Sequence, residues 1–106
     1  MKKIEKGSGN VYADLGTANS EEMLVKAQLS MKIGEIIKLR KMTQIEAARV
    51  LGMPQPKLSN MLRGQFRGIS ETKMLECLMK LGRDIQIVVK TPTKARKIGA
   101  VSVRFA

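Results

Sequence analysis

Histidine and tryptophan are missing from this sequence, cysteine occurs once, and the aromatic complement is one tyrosine and two phenylalanines. Each scarcity removes a class of chemistry. Without histidine no Ser–His or Cys–His nucleophilic relay can be assembled, and a zinc site would have to rest on a single thiol. One cysteine, Cys77, cannot close a disulfide within the chain, which suits a reducing, cytoplasmic setting. The nine acidic residues are scattered, so no carboxylate pair stands out for general acid–base or metal-assisted work. No apolar run reaches the roughly 18 residues of a membrane span. The basic start MKKIEKGSGN has no apolar segment behind it to make a secretory signal. The expectation is a non-enzymatic protein without metal, cofactor or membrane.

What the chain does hold is positive charge. Twenty Lys and Arg against nine Asp and Glu give a net charge of +11 over 106 residues. Such a balance costs self-repulsion and is matched by nucleic acid, an anionic surface or an acidic protein. The length allows one modest core, and 43% apolar residues are enough to fill it. That core must be aliphatic, with eight methionines as adaptable filler.

The pattern along the chain is mostly helical. Residues 1–19 read as a flexible N-terminal segment, with Val11, Tyr12 and Leu15 able to dock as a turn. Ser20 before Glu21 and Glu22 reads as an N-cap with acid in the first turn. From there EEMLVKAQLSMKIGEIIKLRK predicts a long helix whose stripe runs through Leu29, Ile33, Ile36, Ile37 and Arg40. Thr43 and Glu46 form a capping box, Ala47, Ala48 and Leu51 a narrow small-residue face, and Gly52 a stop. A new short helix opens near Pro54 or Gln55, tolerates Pro56 in its first turn, and turns Leu58, Met61 and Leu62 inward until Gly64. After a glycine-bearing loop, Ser70 caps a helix buried through Met74, Leu75, Leu78 and Leu81 and ended by Gly82. The texture then changes. DIQIVVK (84–90) is β-branched and alternating, and VSVRF (101–105) could be its partner in a short β-hairpin. The division is 1–19, a helical domain at 20–83, and a basic strand and tail at 84–106 that could serve as a dimerisation element.

Two short helices joined by a glycine-containing turn are a helix-turn-helix pattern. Leu58, Met61 and Leu62 would lock the second helix to the body, presenting Gln55, Lys57, Ser59, Asn60 and Arg63 to solvent. These side chains can hydrogen-bond base edges or hold phosphates, and none is a carboxylate that would repel DNA.

The stretch TQIEAARVLGMPQPKLSNMLRG resembles the Xre-type helix-turn-helix of λ-repressor-like proteins: Thr-Gln-x-Glu-x-Ala, a Leu-Gly turn, then a helix opening with glutamine. The flanks GSGNVYADLG, EEMLVKAQL and GRDIQIVVK are similar to the HigA-type antitoxins of that family. The resemblance implies a mainly α fold of four to five helices, here with a short C-terminal β-strand or hairpin. It implies a homodimer on a palindromic operator in double-stranded DNA, and autorepression beside a RelE-like toxin that the protein neutralises. It places Gln44 at a phosphate or as a brace, Gln55 at a base, Lys57, Ser59 and Asn60 on later base-facing turns, and Arg63, Gln65 and Arg67 on the backbone. One departure stands out: Pro56 occupies a position where relatives often carry a polar base-reading residue, and it can offer only apolar contact. The alternatives are a stand-alone or phage-derived repressor without a toxin, and a helix-turn-helix fold used as a protein adaptor.

Overall fold

The computed structural model describes residues 19–91 and 98–106. The expected flexible segment with its Val11, Tyr12 and Leu15 turn lies outside these residues, apart from Asn19, and so do Lys94, Arg96 and Lys97 of the basic tail. Four helices follow one another: α1 (Asn19–Leu39), α2 (Gln44–Leu51), α3 (Gln55–Leu62) and α4 (Glu71–Lys80). Helix α1 is the backbone of the bundle, packing against α3 and α4, while α2 bridges α3 and α4.

The core follows the aliphatic stripes. Val25, Leu29, Ile33, Ile36 and Ile37 of α1 meet Leu51, Leu58, Met61, Met74, Cys77 and Leu78. Ile33, Leu51, Leu58, Met61, Met74 and Cys77 are completely enclosed. On α4 the buried position expected at Leu75 falls instead to Cys77, and Leu75 is half-buried. The small faces matter as much as the large ones. Ala47 and Ala48 are buried where α2 crosses its neighbours, and a Cβ built on Gly34 would stand 3.3 Å from Leu62 Cδ2. Gly34 therefore costs helix propensity but allows α3 to approach α1 closely.

Each helix ends in the same way, with a left-handed residue and a pair of backward hydrogen bonds that satisfy late carbonyls. At α2, Gly52 has φ 66° and donates to the Arg49 carbonyl at 3.3 Å, while Met53 donates to Ala48 at 3.0 Å. Gly64 and Gly82 repeat the pattern after α3 and α4. After α1 the left-handed residue is Lys41, at φ 56°, where a Cβ is sterically costly. Basic side chains reinforce two ends: Lys80 Nζ donates to the Leu51 carbonyl and Arg40 Nη1 to the Leu81 carbonyl, each at 3.3 Å.

Two expectations need correction. Ser20 is already inside α1 and is not its cap; the helix starts by Asn19. The C-terminal β-strand or hairpin is absent from the described residues. Residues 83–91 and 101–106 have no regular secondary structure and no backbone ladder between them. The physical reason is that a β pattern makes an extended segment but cannot supply its partner. Ile85 and Val103 lean on the core, and Phe105 brings its ring centroid 4.8 Å from Lys32 Nζ on the outer side of α1. That side also carries Met31, 72% exposed, and the Lys32–Glu35 ion pair at 2.5 Å. The Lys32 hydrogen bond and charge hold the exposed Glu35 carboxyl below its ordinary pKa. Among the described residues no helix is long and apolar enough to cross a membrane.

Candidate nucleic-acid interface

The short helices are fixed from both ends by local chemistry. Thr43 is extended, its hydroxyl accepts from the Glu46 N–H at 3.1 Å, and Glu46 Oε1 accepts from the Thr43 N–H at 2.8 Å. This reciprocal cap satisfies two orphan donors of α2 and occupies the only acidic side chain of that helix. The connection to α3 is Gly52, Met53 and Pro54. Met53 is buried beneath the turn, which fastens it to the core. Pro56 costs α3 no hydrogen bond, because first-turn amides have no intrahelical partner.

With Leu58 and Met61 enclosed, the rest of α3 is turned outward. At 3.6 residues per turn, Pro56, Asn60 and Arg63 form the central line of that outward face, with Ser59 and Lys57 to either side. Gln55, Pro56, Lys57 and Arg63 are exposed, while Ser59 and Asn60 are half-buried. No carboxylate occurs in α3.

The side chains form two small networks. Gln55 Nε2 donates to Gln44 Oε1 at 3.4 Å, a long but direct amide contact between the leading residues of α3 and α2. Within the pair the Gln55 carbonyl oxygen, its second Nε2 hydrogen and both Nε2 hydrogens of Gln44 stay available to act outward. Further along, Arg63 Nη1 donates to Ser59 Oγ at 2.8 Å and its Nη2 to Asn60 Oδ1. Arg63 thus holds two neighbours on its own helix. Lys57 makes no hydrogen bond or ion pair and extends into solvent among the described residues.

The loop after α3 is anchored by a residue that the sequence did not reveal. Lys26 of α1 is only 4% exposed, and its Nζ donates to the Arg67 carbonyl at 3.0 Å while pairing with Glu22 at 3.6 Å. Phe66 and Ile69 bury their side chains on either side of that point. Gln65 and Arg67 are left exposed on a loop whose backbone is fixed, the Gln65 N–H donating to Asn60 at 2.8 Å. The only sequence signal for Lys26 is its position on the apolar stripe between Val25 and Leu29 with Glu22 one turn before it. A lysine there reads as a solvated charge unless the fold is known.

Of the eight candidates, Gln44 and Gln55 meet each other, and Ser59, Asn60 and Arg63 meet as a second cluster. Lys57, Gln65 and Arg67 stand apart, on the same helix or on the loop that follows it. Cys77, enclosed in the core, has its thiol pKa pushed up by burial and takes no part in this surface.

A family model described as "Helix-turn-helix domain" matches residues 11–90, about three quarters of the chain. A solved chain assigned to the XRE family of transcriptional regulators superposes with a TM-score of 0.77 at 28% identity, covering 84% of this chain and 100% of that one. Among curated proteins none matches. Together with the paired short helices, the small-residue crossing and the outward polar face of α3, these matches show that the chain belongs to the helix-turn-helix domain family and has the fold of an XRE-type regulator.

Proposed function

We propose that, within the DNA-binding transcriptional regulation that this family and fold support, the chain is a sequence-specific repressor whose α3 lies in the major groove. One observation carries the reading: α3 is held by Leu58 and Met61 and exposes amide, hydroxyl and basic groups without a single carboxylate. The major groove is about 12 Å wide and admits such a helix. In this reading Gln55 contacts a base while Gln44 holds its side chain in register, the geometry of a bidentate amide contact to adenine. Pro56, at the head of the outward face, offers only methylene surface, which fits a thymine methyl. Lys57, Gln65 and Arg67 hold phosphates. Arg63 has a dual role: unbound, it occupies Ser59 and Asn60, and on a phosphate it releases them to read a base.

The repressor works as a homodimer in the cytoplasm on two half-sites about 34–36 Å apart, one duplex turn. The resemblance to HigA-type antitoxins further supports a role in silencing its own operon and in neutralising a small ribonuclease encoded beside it. That second role must use surfaces other than α3. Several acids that could meet a basic toxin are occupied, Glu22 by Lys26, Glu35 by Lys32 and Glu76 by Lys73.

The test is footprinting and fluorescence anisotropy on the DNA upstream of the protein's own reading frame. Protection of two half-sites is expected, with a log–log salt slope of about −0.9 per phosphate contacted. Binding that ignores sequence and survives with α3 altered would reject the assignment. Co-purification with the product of an adjacent reading frame tests the antitoxin role separately.

A further inference from the structure

The segment after α4 presents a surface that the bundle does not use. Ile87, Val88 and Val89 are 72%, 65% and 94% exposed, an unusual run of β-branched side chains to leave in water. The backbone of 84–90 makes no backbone hydrogen bond among the described residues. Unpaired, and alternating in sequence as a strand does, it has the makings of a sheet edge without a sheet. As a strand it would sort its side chains onto two faces. Ile85, Ile87 and Val89 would share one, and Ile85 already packs on the core. Asp84, Gln86, Val88 and Lys90 would share the other.

We propose that residues 84–90 pair antiparallel with the same segment of a second copy, with Ile87 on the two-fold axis. This deepens the homodimer of the reading above and names its surface. The register follows from the sequence. Facing residues in an antiparallel pair lie on the same face, so only registers that pair odd with odd numbers keep the apolar face intact. Of these, centring on Ile87 sets Ile85 opposite Val89 and Asp84 opposite Lys90, twice by symmetry. Centring on Gln86 or Val88 leaves Asp84 and Lys90 without each other. A parallel in-register pair would oppose Asp84 to Asp84 and Lys90 to Lys90, which is destabilising. Charge complementarity therefore selects one occupant and one register. A ribbon formed in this way carries six β-branched residues on the face that Ile85 ties to each core, with mostly polar residues on the other.

Three measurements on the full chain test this without DNA. Light scattering on the wild type is expected to show a dimer, and Val89→Asp to raise its dissociation constant by about 100-fold or more, with unchanged helical circular dichroism. Lys90→Asp should weaken the dimer about threefold to tenfold, and adding Asp84→Lys should restore it. Ile87→Cys should form an intermolecular disulfide under mild oxidation. Gln86→Cys and Val88→Cys should form far less, because diagonal neighbours lie beyond disulfide reach. Buried Cys77 does not compete. A monomeric wild type, a dimer indifferent to Val89→Asp, or linkage as efficient at 86 or 88 as at 87 would overturn the proposal. The outcome is separable from the DNA reading: a monomeric Val89→Asp variant should still recognise a single half-site through Gln55. Loss of half-site recognition in a dimeric wild type would sink the DNA assignment alone.

Discussion

The helical body and the segment that follows it are built from similar proportions of aliphatic residues, yet they end differently. In residues 21–82 the apolar positions recur every three to four residues, and Val25, Leu29, Ile33, Leu58, Met61 and Met74 are enclosed. In residues 84–90 they recur every second residue, and Ile87 and Val89 face water. The difference lies in where each backbone finds its hydrogen bonds. A helix satisfies its own N–H and C=O groups, so an amphipathic stripe is free to close a core with its neighbours. A strand must borrow a partner, and within one copy none of the described residues supplies it. One region is complete in itself; the other has a free edge.

Substitutions can break this contrast, and the largest effect should come from the body. Leu58→Ala removes a fully enclosed side chain that fixes α3 and should cost about 2–5 kcal/mol in chemical denaturation. The matching change Ile87→Ala should move the stability of the monomer by less than about 0.5 kcal/mol. Comparable losses at both sites would mean that the tail shares the core after all.

Next comes Lys26→Ala. It leaves the Arg67 carbonyl without its donor and empties a buried position, for an expected loss of about 1–3 kcal/mol. Amide exchange should rise in residues 63–69 while α1 stays protected. Exchange unchanged in that loop would show that Phe66 and Ile69 alone hold it.

Lys41→Gly has the opposite sign. A residue at φ 56° with a Cβ is strained, and glycine there should stabilise by about 0.5–1 kcal/mol, read as a raised Tm. A loss would show that the Lys41 side chain contributes more than its backbone costs.

The smallest effect is a pH effect. Burial raises the Cys77 thiol pKa above its unfolded value, so the folded state keeps its proton longer than the unfolded chain. The contribution is therefore full below pH about 9 and is lost as pH rises through the folded pKa. Stability should fall above that pH by more in the wild type than in Cys77→Ala, and a parallel pair of pH profiles would contradict the assignment.

Much of the body was legible because several local signals agreed. Thr43 with Glu46, Gly52 after Leu51, and Ser70 before Glu71 mark helix ends by hydrogen-bond chemistry that needs only neighbours in sequence. The inward position of Leu58 and Met61 follows from periodicity, and the outward position of Gln55 and Lys57 follows from theirs. What was not legible depends on distant partners. Gly34 reads as a propensity defect until Leu62 stands beside it, and Lys26 reads as a surface charge until Arg67 is brought within 3.0 Å. Arg63 reads as a free cation, although it spans Ser59 and Asn60. The expected C-terminal strand failed for the same reason, since a strand is defined by a pairing that periodicity cannot state.

In the proposed complex α3 reads base edges while the loop after it holds the backbone. The direct test is anisotropy titration of Gln55→Ala, Asn60→Ala and Arg67→Ala against the protected site and a panel of its single-base-pair variants. The first two should each lose about 1–3 kcal/mol on the intact site and cease to discriminate at one or two positions, whereas Arg67→Ala should weaken every sequence alike. Identical, sequence-independent losses from all three would contradict it.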